Sequence, residues 1–115
     1  NAGHEPALLL RRDAARVEVT PPNGIVLGVL AGSTYVEQTF AVAAGDIIIL
    51  YTDGLTEATN KRGELYTIDR LCEDVLAHRT DGAQDLADSI FETVKAYANN
   101  ELRDDSTILV LRLTA

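Results

Sequence analysis

The sequence predicts an α+β domain whose strands are mostly antiparallel, and three observations carry that prediction. Strand-like apolar runs fill the first half of the chain, the apolar period then changes to the helical one between residues 67 and 97, and a last strand-like run, "STILVLRLT", closes the chain at 106–114. Strands, then a pair of helices, then a strand is the order of an α+β fold rather than of alternating βαβ units.

Residues 7–12 and 16–20 are short apolar or alternating runs separated by Asp13-Ala14-Ala15, which reads as a hairpin. "PPNG" at 21–24 joins a proline pair to a glycine able to take positive φ, and breaks the chain. A strand is expected over 25–30, ending at Ala31-Gly32-Ser33. Another is expected over 35–42, half-buried, with Val36, Phe40 and Val42 on one side and Glu37 and Thr39 on the other. "AAGD" at 43–46 turns the chain into "IIILY" at 47–51, whose lack of alternation predicts a central strand covered on both faces. Ile68, Leu71, Cys72, Val75 and Leu76 then form one helical stripe, with Thr67 placed to cap it. After "TDG" at 80–82, Leu86, Ile90, Val94 and Tyr97 form a second stripe, and the two helices are expected to pack antiparallel.

The 115 residues are the size of one domain and long enough to bury a core. A net charge of −8 argues against a nucleic-acid surface, which needs clustered Lys and Arg, and no run approaches the roughly 20 apolar residues of a membrane span. One cysteine, Cys72, on the first helical stripe, reads as core; with no signal-peptide pattern at the start, a cytoplasmic setting is expected. The chain opens on Asn1 and contains no methionine, as expected of a piece of a longer protein.

Chemistry is concentrated at two strand ends. Asp53 follows the 47–52 run, and Asp104-Asp105 precede the final strand. A rigid strand end fixes side-chain direction while the adjoining loop leaves room for a ligand. Carboxylate oxygens without nearby Cys, in a chain with two His, select a hard cation, Mn²⁺ or Mg²⁺, rather than zinc. The plainer reading is that Asp53 is only the polar residue of an Asp-Gly turn. An aspartyl-nucleophile phosphatase of the haloacid-dehalogenase type is disfavoured, because its D-x-D-G-T motif would need an aspartate where Tyr51 stands. His78, at the end of the first helix, suits the negative end of the helix dipole.

Five segments together, "NAGHEPALLL" (1–10), "LG" (27–28), "GDIIILYTDGLTEATN" (45–60), "GELY" (63–66) and "RDDSTILVLRL" (103–113), resemble in order and spacing the C-terminal half of a SpoIIE-type metal-dependent protein serine/threonine phosphatase. That group is a branch of the type-2C (PPM) phosphatases. The resemblance implies that residues 1–115 are the C-terminal part of one such domain, within an α-β-β-α sandwich holding two or more Mn²⁺ or Mg²⁺ ions. It implies Asp53 and Asp104 as metal ligands, Asp105 beside the second of them, Gly54 in the tight turn at the metal, and Thr107 as support of the Asp104 loop. His4 of "NAGH" has two readings, a general acid or a residue that shapes the strand-to-turn segment near the site, and the resemblance favours the second. Hydrolysis of phosphoserine or phosphothreonine by metal-activated water is implied, on a phosphoprotein of the anti-anti-sigma (STAS) type in bacterial stress or sporulation signalling.

The family's N-terminal metal motif lies outside this sequence, so the segment alone is expected to be inactive. Strands built for absent neighbours lead us to expect a homodimer or swapped assembly through exposed edges. A non-catalytic regulatory or scaffold module with a relic metal site is the alternative; carboxylates retained at both strand ends favour the enzyme.

Overall fold

The computed structural model describes residues 1–21 and 24–115. Its element order is β1 (Leu8–Leu10), β2 (Glu18–Val19), β3 (Ile47–Tyr51), α1 (Asp53–Thr56), α2 (Thr67–Ala77), α3 (Ala83–Tyr97) and β4 (Ile108–Arg112). The strands form one antiparallel sheet in the order β2-β1-β3-β4. The predicted hairpin is the β1–β2 pair, with Leu8 opposite Val19. The α+β class, the helix stripes and the final strand agree with expectation.

Strand pleating sends alternate residues to opposite faces. Ile47, Ile49 and Tyr51 of β3 share a face with Leu8 and Leu10 of β1 and with Ile108 and Val110 of β4. That face packs against Leu71 and Val75 of α2 and Leu86, Ile90 and Val94 of α3, which are fully buried. Helical spacing at i, i+4 and i+8 is what lets α3 present those three side chains as one stripe. The thinnest dimension, 20 Å, has room for one helical layer on one sheet; the chain thus forms one α layer and one β layer.

Three local expectations are corrected. First, β3 is central, flanked by β1 and β4, yet its second face is partly open: Leu50, Leu109 and Leu111 are exposed there. A continuous apolar run fits burial on both faces, but in this chain only one face has a helical layer, and the other is covered in part, with Leu9 buried there and the three leucines open. Second, no strand forms over 25–30 or 35–42 among the described residues, and Val26, Leu27, Val29, Leu30, Phe40 and Val42 are exposed. β-propensity records how well a side chain packs on a paired, half-buried surface. Here the nearby backbone bonds are local turns, Val29 N–H to Val26 C=O and Ser33 N–H to Leu30 C=O, with Gly28 and Gly32 at positive φ. The break expected at "PPNG" includes positions 22 and 23, which lie outside the described residues. Third, Thr67 does not cap α2: it is the first helical residue, at φ 73°, and the N-cap position belongs to Tyr66, without a side-chain cap bond.

A buried carboxylate closes the other end of the sheet. Asp46, 4% exposed, accepts from the N–H groups of Arg12 (2.9 Å) and Ala43 (3.0 Å) and from the Arg11 guanidinium (3.1 Å). These donors, the Arg12 amide foremost, hold its pKa below the ordinary carboxylate value. Asp46 thereby ties the "AAGD" turn to the end of β1, while its own carbonyl accepts from Leu113 N–H.

Candidate metal centre at the ends of two strands

The ends of β3 and β4 that carry the two aspartates are fastened by Thr52, one residue past β3. Its N–H donates to the carbonyl of Thr107 (3.1 Å); its hydroxyl accepts from Thr107 N–H (3.0 Å) and donates to the carbonyl of Asp105 (3.0 Å). One side chain thus uses both its donor and its acceptor capacity to hold the 105–107 backbone against the exit of β3. Sequence reasoning missed Thr52. The signal was a hydroxyl residue between a buried strand and the Asp-Gly pair, but its partners lie 53 and 55 positions away.

Gly54 completes the contact. A Cβ built on it would stand 2.5 Å from the Asp105 carbonyl oxygen and 3.0 Å from Ser106 Oγ. The resemblance implies Gly54 in a tight turn; here Gly54 is in the first turn of α1, buried, and its lack of a side chain permits close approach of the Asp105 backbone. The Asp-Gly pair therefore opens a short helix rather than a simple turn, with the Asp53 carbonyl accepting from Glu57 N–H (2.8 Å) and Thr56 Oγ1 (3.3 Å).

Asp53, at the start of α1, and Asp104, on the loop before β4, are consequently on segments that touch, and both are exposed. The Asp53 carboxylate makes no hydrogen bond or ion pair among the described residues, while one Asp104 oxygen accepts from Asp105 N–H (2.7 Å) and Ser106 Oγ donates to the Asp104 carbonyl (3.2 Å). Asp105 and Thr107 act here through their backbones; both side chains are exposed. The available donors are hard carboxylate and carbonyl oxygens, which suit Mg²⁺ or Mn²⁺. No group of three or more His, Cys, Asp or Glu able to hold a metal occurs among the described residues, so these two carboxylates fit part of a ligand set rather than a whole one.

His4 stands elsewhere in the arrangement. Its N–H donates to Asn1 Oδ1 (2.9 Å), its carbonyl accepts from Asn1 Nδ2 (3.0 Å), and its Nδ1 lies 3.0 Å from the Glu5 carbonyl, so "NAGH" closes on itself as a turn. With Tyr35, Phe40 and Leu50, His4 lines a cavity of about 610 Å³ whose walls include neither Asp53 nor Asp104. Cys72 is half-buried against the core, and burial pushes its thiol pKa up, away from nucleophilic use. His78 ends α2 with its Nδ1 2.9 Å from Asp81 Oδ2.

Known proteins resemble this chain in sequence and in fold. The chain is 30% identical over 114 residues to "Phosphoserine phosphatase RsbU" of Bacillus subtilis, covering 97% of this chain and 33% of that protein. It superposes with TM-score 0.80 on the RsbU and RsbW domains of Rv1364c from Mycobacterium tuberculosis, at 25% identity over all of this chain and 31% of the other. With TM-score 0.77 and 25% identity it also matches the PP2C phosphatase domain and a regulatory fragment of SpoIIE from Bacillus subtilis, over 99% of this chain and 33% of that one. The chain thus spans about a third of the length of these relatives. The family model for stage II sporulation protein E matches residues 1–114, and by that match the chain belongs to the SpoIIE family.

Proposed function

We propose that residues 1–115 are the C-terminal part of a SpoIIE-type phosphatase domain which removes phosphate from phosphoserine or phosphothreonine of a protein substrate. The observation that carries this reading is the contact of Gly54 with the Asp105 carbonyl, which brings the Asp53 and Asp104 loops together at one edge of the sheet. Relatives named as a phosphoserine phosphatase and as a PP2C phosphatase domain support it.

Asp53 and Asp104 would hold divalent Mn²⁺ or Mg²⁺, with the remaining ligands supplied from outside this segment. A metal held by these carboxylates would supply charge neutralisation for the phosphate dianion and a water of lowered pKa. The chain's own contribution is positional. Thr52 and the Gly54 contact keep the two carboxylate loops in register, and a hydrogen-bonded strand end spends no reorganisation when substrate arrives. His4 serves to shape the "NAGH" turn, in keeping with its self-contained hydrogen bonds. A regulatory phosphoprotein of the anti-anti-sigma type is the substrate class proposed, in keeping with the RsbU relative, and the lone cysteine favours a cytoplasmic setting. Among the described residues no helix is long and apolar enough to cross a membrane.

The test is calorimetric Mn²⁺ titration and phosphopeptide hydrolysis by the full-length protein, with Asp53→Asn and Asp104→Asn variants. Loss of a ligand should cost more than the roughly 10–100-fold that follows loss of an outer-shell partner. Unchanged metal affinity in both variants would overturn the assignment, and Mn²⁺ binding without hydrolysis by the unmutated protein would favour the non-catalytic module.

A further inference from the structure

Basic residues are unevenly held in this acidic chain. Of the ten Lys and Arg, Arg11 pairs with Asp46 and Glu18, Lys95 pairs with Glu92, and Arg70 lies over the Tyr97 ring. Arg79 donates to the carbonyls of Ala14 and Arg12, and Arg112 to those of Arg79 and Asp81. Of the five that remain, Lys61, Arg62 and Arg103 line a single cleft of about 660 Å³, and none of the three makes an ion pair among the described residues.

The cleft is built, not incidental. One wall is the turn at 60–63, locked by Asn60: its Oδ1 accepts from the N–H of Arg62 (2.9 Å) and of Glu64 (3.1 Å), and its Nδ2 donates to Tyr97 Oη on α3 (3.2 Å). The facing wall is the turn after α3, where Asn99 and Asn100 take positive φ and Asn100 N–H donates to the Lys95 carbonyl (2.8 Å). Glu101, the Glu64 carboxylate that accepts from Asn60 Nδ2 (2.7 Å) and the carbonyl end of α3 oppose an anion there, but three cations outnumber the two carboxylates, and the dipole end is already satisfied by the N–H groups of Ala98, Asn99 and Asn100.

The geometry points to this cleft as the docking site for an acidic segment of the protein substrate, flanking the phosphorylated residue. Arg103 is the chain neighbour of Asp104, one Cα step of about 3.8 Å from the proposed metal ligand. A segment of net charge −8 repels an acidic partner at long range, so a local cationic cleft beside the carboxylate pair selects which face of that partner arrives. The substrate assignment rests on the phosphatase reading above; the acidic ligand rests on the cleft alone.

Binding is measured on the full-length protein by fluorescence anisotropy, using labelled unphosphorylated peptides with one serine flanked by four Glu or by four Gln. The Glu peptide should bind ~10-fold tighter, as expected for three partly exposed charge pairs. The Lys61→Ala, Arg62→Ala, Arg103→Ala variant should lose that preference, while the charge-conserving Lys61→Arg, Arg62→Lys, Arg103→Lys variant keeps it. Equal affinity for the two peptides, or a preference that survives the alanine variant, overturns the proposal. Should the alanine variant fail to fold by circular dichroism, Lys61→Glu alone, on the exposed turn, must lower the preference for the proposal to stand. Hydrolysis of the phosphorylated peptides is scored separately: absence of turnover with acidic-peptide binding intact refutes the phosphatase reading and leaves the cleft standing.

Discussion

Along β3, Ile49 is 1% exposed against the helices, whereas its neighbour Leu50, on the other face, is 37% exposed. The same division runs through β4, where Val110 packs on the core and Leu109 and Leu111 are open. Both faces are aliphatic, so composition does not separate them. What separates them is a covering layer: α2 and α3 supply Leu71, Val75, Leu86, Ile90 and Val94 to one side, while the segment 24–42 leaves much of the other uncovered. An open aliphatic sheet face of this kind is suited to packing against a further layer.

The sharpest way to break this comparison is to truncate one residue on each face. Ile90→Ala removes a fully buried side chain and should destabilise by ~2–5 kcal/mol, while Leu109→Ala on the open face should cost less than about 1 kcal/mol in this segment. Chemical denaturation of the two variants decides it, and equal losses would mean that the open face is covered in solution. Next in size, Gly54→Ala drives a Cβ to 2.5 Å from the Asp105 carbonyl and should cost ~1–3 kcal/mol. It should also weaken Mn²⁺ binding in the full-length protein; a variant as stable as its parent, with unchanged metal affinity, would show that the two loops need not touch.

The smallest effect concerns pH and the opposite end of the sheet. Because Asp46 is held below its ordinary pKa when folded, its contribution is present above the ordinary carboxylate value near 4 and is lost as pH falls through the lowered one. Asp46→Asn should therefore lower the melting temperature by a few degrees at pH 7 and flatten the loss of stability on acidification below about pH 4. Parallel acid limbs in parent and variant would count against the role assigned to this carboxylate.

Much of this architecture was legible residue by residue. The hairpin, the strand at 47–51, both helix stripes and the last strand follow from period and turn chemistry, which act over a few positions. Asp53 and Asp104 were legible for the same reason, as carboxylates at the ends of recognisable strands. The segments 25–30 and 35–42 were misread because a strand is a property of two paired chains of backbone, and β-forming side chains along which no ladder forms among the described residues remain a loop. Lys61, Arg62 and Arg103 give no sign in sequence of sharing a cleft, since two turns about 40 positions apart have to be brought face to face by Asn60 and Tyr97.

Local chemistry thus sufficed for the α+β class, the helical pair and the place of two carboxylates at strand ends, since propensity, apolar period and strand-end polarity are written in neighbouring residues. The folded chain was needed for the rest: Thr52 as the clamp, Gly54 as the point of approach, Asp46 as the buried tie and one sheet face left open. Each of these depends on atoms more than 30 positions apart meeting within a hydrogen bond's length, or failing to meet, and no local pattern encodes that.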